Sequence, residues 1–254
     1  MVSPTVNAHR KIAISPATCR LHRAVMNGPR NQMDTKEAEA ALHAGADLDG
    51  TIPGLCESPL MYAGARGRLA AARWLLDRRA NPNTRDPSGR TVLIAAANGH
   101  TKIVQMLLEY GADPNVWNQS GWTPLMSAAS GHNEIARLLL DHGADPNLRD
   151  GEDQTALMYA VWSECIEIMV LLLERGANPL RPSDTERTLP EVLADTGRGG
   201  ILEALDAALA HPARAIARRR MTSPLTDCQR KAWLPKACAA ETVLVSGKIW
   251  IRKP

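Results

Sequence analysis

Residues 121–147 read GWTPLMSAASGHNEIARLLLDHGADPN, and the order of these residue types decides the fold. Thr123 offers a hydroxyl to cap a helix N-terminus. Pro124 then takes the first helical position, where a missing N–H is harmless. An Ala-rich segment, Leu125 to Ala129, follows and is broken at Gly131. Ile135, Leu138 and Leu139 place apolar side chains at i, i+3 and i+4, the spacing of one face of a second helix. Gly143 supplies the left-handed residue that closes a helix C-terminus, and Asp145-Pro146-Asn147 leads into a turn. The stretch reads as two short helices and a loop.

The same unit recurs along the chain. Gly45-Ala46-Asp47, Arg79-Ala80-Asn81, Gly111-Ala112-Asp113, Gly143-Ala144-Asp145 and Gly176-Ala177-Asn178 lie 34, 32, 32 and 33 residues apart. A second ladder keeps the same phase: Ser58-Pro59-Leu60, Thr91-Val92-Leu93, Thr123-Pro124-Leu125 and Thr155-Ala156-Leu157, at intervals of 33, 32 and 32. Two ladders in step over four units identify a structural repeat. Ser58, Thr91 and Thr155 are expected to cap their helices as Thr123 does. Gly67 and Gly99 match Gly131 as the break between helices. Residues 115–121 and 147–153 read as hairpin-like loops.

The composition agrees. The 254 residues include 38 Ala and 29 Leu, no Phe and 4% aromatics. Ala and Leu are the residues most easily placed in a helix, whereas sandwiches and barrels draw on β-branched and aromatic residues. No run of 18 apolar residues is present, so no membrane-spanning helix is expected. Cys19, Cys56, Cys165, Cys228 and Cys238 are odd in number, widely spaced and without a C-x-x-C pair. They read as neither a disulfide framework nor a zinc site. No secretory signal is visible, and a cytoplasmic protein is the default expectation.

With its Thr-Pro-Leu, Gly-His and Leu-Leu-x-x-Gly-Ala-Asp-x-Asn elements, the repeat resembles that of the ankyrin family, almost whole between Gly121 and Asn147. The resemblance implies an all-α repeat solenoid of stacked helix pairs with β-hairpin-like loops. It divides the chain into a disordered leader (1–18), a degenerate first repeat (19–52), four full repeats (53–85, 86–117, 118–149, 150–182), a degenerate capping repeat (183–210) and a basic disordered tail (211–254). The first helix of the leading repeat is read around Leu21-His22-Arg23-Ala24. The family's His after Leu survives only at His22, being replaced by Met61, Ile94, Met126 and Met158. The methionines read as core filler. The two central repeats are one residue short, with the deletion placed in the turn between helices. Arg79 and Glu164 stand where Gly is expected, which predicts an altered helix end and turn.

A family of this kind recognises other proteins through its hairpin tips and the concave face of its first helices. The partner-contacting positions map to Tyr62 and Arg66 in the first full repeat, and to Ser88, Arg90 and Asn98 in the second. They continue with Gln119, Trp122 and Ser127 in the third and Glu152, Gln154, Tyr159 and Trp162 in the fourth, with Trp117 beside the hairpin tip. Tyr159 and Trp162, three residues apart, share one side of a short helix, and interface hot spots are enriched in Trp, Tyr and Arg. The expected function is a non-catalytic, monomeric scaffold or adaptor that binds a partner protein. No catalytic residue, metal site or cofactor is assigned. The run Gly197-Arg198-Gly199-Gly200 lacks the Lys-Ser/Thr of a phosphate loop.

The net charge of +3 is a cancellation. Residues 211–254 hold 10 Lys/Arg against 2 Asp/Glu, while residues 21–210 carry an excess of acid. The alternative reading is therefore a regulatory factor that engages nucleic acid or an acidic surface through 211–254. Within the tail, residues 242–251 read as a short strand or hairpin around Ser246-Gly247.

Overall fold

The computed structural model describes residues 15–27, 33–51 and 57–179, together with the backbone of 242–245 and 248–251. The capping repeat at 183–210, the Gly197–Gly200 run and residues 211–241 of the basic tail lie outside the described residues. Contacts divide the chain into two units, Met1–Leu171 and Leu172–Pro254. Ten helices occur among the described residues, as the repeat pattern predicts.

In the first unit the first helices of successive repeats are α1 (Pro16–Met26), α3 (Pro59–Ala65), α5 (Val92–Ala96), α7 (Pro124–Ala128) and α9 (Ala156–Trp162). The second helices are α2 (Thr35–His43), α4 (Leu69–Asp77), α6 (Thr101–Glu109), α8 (Asn133–Asp141) and α10 (Ile166–Glu174), whose last three residues belong to the second unit, each of nine residues. The helices α1, α3, α5, α7 and α9 contact one another in chain order, forming one layer. Within the second layer α4 packs on α6 and α6 on α8. The core lies between the layers and is built from Leu, Ile, Val, Met and Ala, with Leu60, Leu75, Leu107 and Leu139 fully buried. Met61, Met126 and Met158 are part of it. Small residues let the first helices approach closely. A Cβ added to Gly64 on α3 would meet Val92 Cγ2 of the next repeat at 2.2 Å.

The caps follow the sequence in three of four full repeats. Ser58, Thr91 and Thr123 accept from the backbone N–H of Met61, Ile94 and Met126. Thr155 departs from this expectation. The Met158 N–H donates to the carbonyl of Thr155 at 3.0 Å in a tighter first turn, which leaves the hydroxyl no donor to cap. In the leading repeat α1 starts at Pro16, three residues before Cys19, because Ser15 caps it through the Ala17 N–H at 3.2 Å. At the helix ends a bond recurs from Ala46, Ala80, Ala112 and Ala144 N–H back to Ala41, Leu75, Leu107 and Leu139. The residue before each of these alanines is left-handed. Arg79 adopts that conformation at φ 67° without being Gly.

The missing residue of the two short repeats is absorbed differently from expectation. Their first helices have five residues where α3 and α9 have seven. The turn glycines also change conformation: Gly67 and Glu164 lie at φ 72° and 57°, but Gly99 and Gly131 at 123° and 127°.

In the second unit, Ala177 N–H bonds Leu172 O and closes α10. Its other described elements are strands β1 (Thr242–Val245) and β2 (Lys248–Ile251), paired antiparallel with Val243 opposite Trp250.

Candidate functional site

The loops between repeats are shaped by one side chain each. Asp86 Oδ1 accepts from the N–H groups of Ser88 and Arg90, Asn118 Oδ1 from Ser120 and Trp122, and Asp150 Oδ1 from Glu152 and Gln154. These are Asx turns, in which a short polar side chain mimics the backbone. Neighbouring tips are tied together: Gln119 N–H donates to Ser88 O at 2.9 Å, and Gly151 N–H to Ser120 O at 2.7 Å. The approach at the second contact is close enough that a Cβ on Gly121 would lie 2.6 Å from Asp150 Cα. An open groove of about 450 Å³ runs between these tips, lined by Trp117, Asn118, Ser120, Arg149 and Asp150 among others.

This framework brings Trp122, Tyr159 and Trp162 together across two repeats. Trp122 and Tyr159 meet edge to face with ring centroids 4.6 Å apart, and Tyr159 and Trp162 do so at 5.2 Å. Such pairs contribute about 0.5–1.5 kcal/mol beyond their buried area. The Trp122 indole N–H donates to Ser127 Oγ at 2.6 Å. The Tyr159 hydroxyl donates to Asp150 Oδ2 at 2.5 Å. Burial, then this bond and the Asp150 and Glu152 charges, hold the phenol well above its ordinary range. Trp162 is 45% exposed at the edge of the cluster.

The remaining sequence-predicted positions fall into separate groups. Arg66 Nη1 and Arg90 Nη2 both pair with Glu57, at 2.9 and 3.4 Å, and the Arg66 guanidinium lies 3.9 Å from the Tyr62 ring centroid. Ser88 and Gln119 are exposed at the tips, where Gln119 Nε2 donates to Pro87 O. Glu152 is exposed, and Gln154 Nε2 donates to its backbone carbonyl. Asn98 is exposed in the turn between α5 and α6. Trp117 is 55% exposed, its backbone carbonyl bonded to Arg85. Ser127 differs from expectation. It is only 3% exposed, because the short helix α7 turns it inward beneath Trp122, where it orients the indole. Asp150 was not among the expected positions, yet it holds both the loop and Tyr159. Its place matches Asp86 and Asn118, and that alignment is the signal that could have found it.

Among the described residues, no group of three or more His, Cys, Asp or Glu is arranged to hold a metal ion. No described helix is long and apolar enough to cross a membrane. Comparison with curated proteins gives no match. The family model described as "Ankyrin repeats (3 copies)" matches residues 21–118 and 113–183. Together with the paired helix layers and their linked hairpin tips, this shows that the chain belongs to the ankyrin repeat family, whose members generally mediate contacts between proteins.

Proposed function

We propose that this chain is a protein-binding module that docks a partner on its hairpin tips and on the exposed side of its first helices, with Trp162, Tyr159 and Trp122 as anchors. The observation that carries this reading is the aromatic cluster. Three large rings from two repeats converge at the surface, with Trp162 45% exposed. A core built from Leu and Ala has no need of them there. Rigid, half-buried aromatics are the side chains on which interface energy concentrates. The module acts as a scaffold or adaptor, without chemistry of its own.

The reading is tested by affinity capture with the full chain and with Trp162→Ala, each checked for helix content by circular dichroism. The partner retained by the unaltered chain is expected to be lost or strongly depleted with the variant. Equal recovery on both would overturn the proposed anchor.

A further inference from the structure

Three of the described aromatic rings already carry a cation from the chain itself. Arg66 and Arg68 lie 3.9 and 5.9 Å from the Tyr62 centroid, Arg78 lies 4.0 Å from Trp74, and Arg85 lies 5.9 Å from Trp117. Trp122, Tyr159 and Trp162 instead meet edge to face in one cluster, and among the described residues no Lys or Arg lies over any of their rings.

The hairpin loops show how the charge balance differs from repeat to repeat. Loops 86–90, 118–122 and 150–154 occupy equivalent places. In the first, Asp86 is neutralised by Arg90 Nε at 3.4 Å. In the second, Asn118 has no charge to neutralise. In the third, Arg149 pairs with Asp153, Gln154 stands at the arginine's position, and Asp150 takes the Tyr159 hydroxyl instead. Besides Asp150 and the paired Asp153, the loop carries Glu152, exposed and without an ion pair among the described residues. The Asp150 and Glu152 charges both act on the Tyr159 hydroxyl. Ring faces are themselves electronegative. A cation placed here is attracted by the rings and by the Asp150 and Glu152 carboxylates.

We propose that this face receives a basic segment of the partner protein, with an arginine or lysine side chain seated against Trp162 and Tyr159 within reach of Glu152 and Asp150. The inference rests on the protein-binding reading above and names the partner's chemistry. The charge that Arg90 supplies to Asp86 in the first loop is thereby supplied to Asp150 in trans. Attraction of this kind falls as salt screens the carboxylates, while the ring contact gives the site its position.

The test is selection of a random 12-residue peptide library, displayed on phage, against the immobilised full chain. Trp162→Ala and Glu152→Lys, both at exposed side chains, serve as comparisons after circular dichroism confirms their fold. The enriched peptides are expected to be rich in Arg and Lys. A synthetic copy of the most enriched one is expected to bind either variant at least about tenfold more weakly. Enrichment of acidic or apolar peptides that still depend on Trp162 would overturn the basic-segment inference and leave the protein-binding face standing. Peptides that bind all three proteins equally, or no enrichment, would count against both.

Discussion

Glu164 and Gly99 hold the same place in their repeats, the turn between the two helices, yet need different backbones. At φ 57° Glu164 is in the left-handed well, where a side chain is carried at a cost of about 1–2 kcal/mol. At φ 123° Gly99 is where glycine alone is at ease. Repeat length separates them, since the shortened repeats reach their second helix from a five-residue first helix. Replacing Glu164 by Gly is expected to raise the urea midpoint by the equivalent of about 1 kcal/mol. Gly99→Ala is expected to lower it by about 1–3 kcal/mol, although the nearest atom to its Cβ would be His132 Cε1 at 3.4 Å. A neutral Gly99→Ala would show that the turn relaxes freely. Arg79 and Glu164 were legible in the sequence as departures, because Gly marks their places in sister repeats. Asp153 is a third such departure at φ 62°, in the place that Gly89 and Gly121 hold in their loops.

At the scale of the element, α1 shows what keeps a degenerate repeat in register. His22 is buried, and its Nε2 lies 2.9 Å from the Gly50 carbonyl. A carbonyl only accepts, so Nε2 carries the proton of the neutral ring. Thr18 Oγ1 accepts from Asp47 N–H and closes the same repeat. Burial lowers the His22 pKa, opposed by the Gly50 bond and the Glu57 charge. Below its ordinary value of 6.5 the unfolded chain therefore binds the proton first. The stability tied to neutral His22 is complete above that pH and is lost as pH falls through it. Thermal melts are expected to show a larger drop between about pH 7.5 and about pH 5 for the unaltered chain than for His22→Gln. Equal drops would remove His22 from the pH response. The helices themselves were legible almost throughout, because caps, helix breaks and apolar spacing are local properties. The start of α1 was missed because the family pattern begins at the position of Cys19, whereas Ser15 and Pro16 open the helix one turn earlier. Met158's backbone bond, which displaces the Thr155 cap, leaves no mark in residue type.

At the scale of the whole array, what holds repeat to repeat was the least legible. Tyr159 and Trp162 could be paired from their spacing, but Trp122 joins them only once two repeats are stacked. Ser127 could not be known to turn inward without that neighbour. The same limit hid a ladder of side-chain bonds along the loops. Asn81 N–H donates to Asp49 Oδ1, Asp113 N–H to Asn83 Oδ1 and Asp145 N–H to Asn115 Oδ1, at 2.7–2.9 Å. Asn83 and Asn115 also donate from Nδ2 to the carbonyls of Gly111 and Gly143, at 3.3 and 3.0 Å. The sequence shows these residues only as turn formers. Their second role requires a neighbouring loop one repeat away. Each Asn thus serves a donor and an acceptor of the following repeat, and an Ala in its place leaves both without this partner. Asn115→Ala is expected to cost about 1–2 kcal/mol, more than the net value of one ordinary hydrogen bond. Stability in a repeat array is the sum of repeat terms and neighbour terms, and this loss falls on a neighbour term. The urea transition of Asn115→Ala is therefore expected to broaden as well as shift, with far-ultraviolet ellipticity and Trp fluorescence no longer coinciding. Asn83→Ala combined with Asn115→Ala is expected to broaden it further. A pure shift with coincident probes would place the bonds within a repeat's own stability and leave the coupling to the buried helix layers alone.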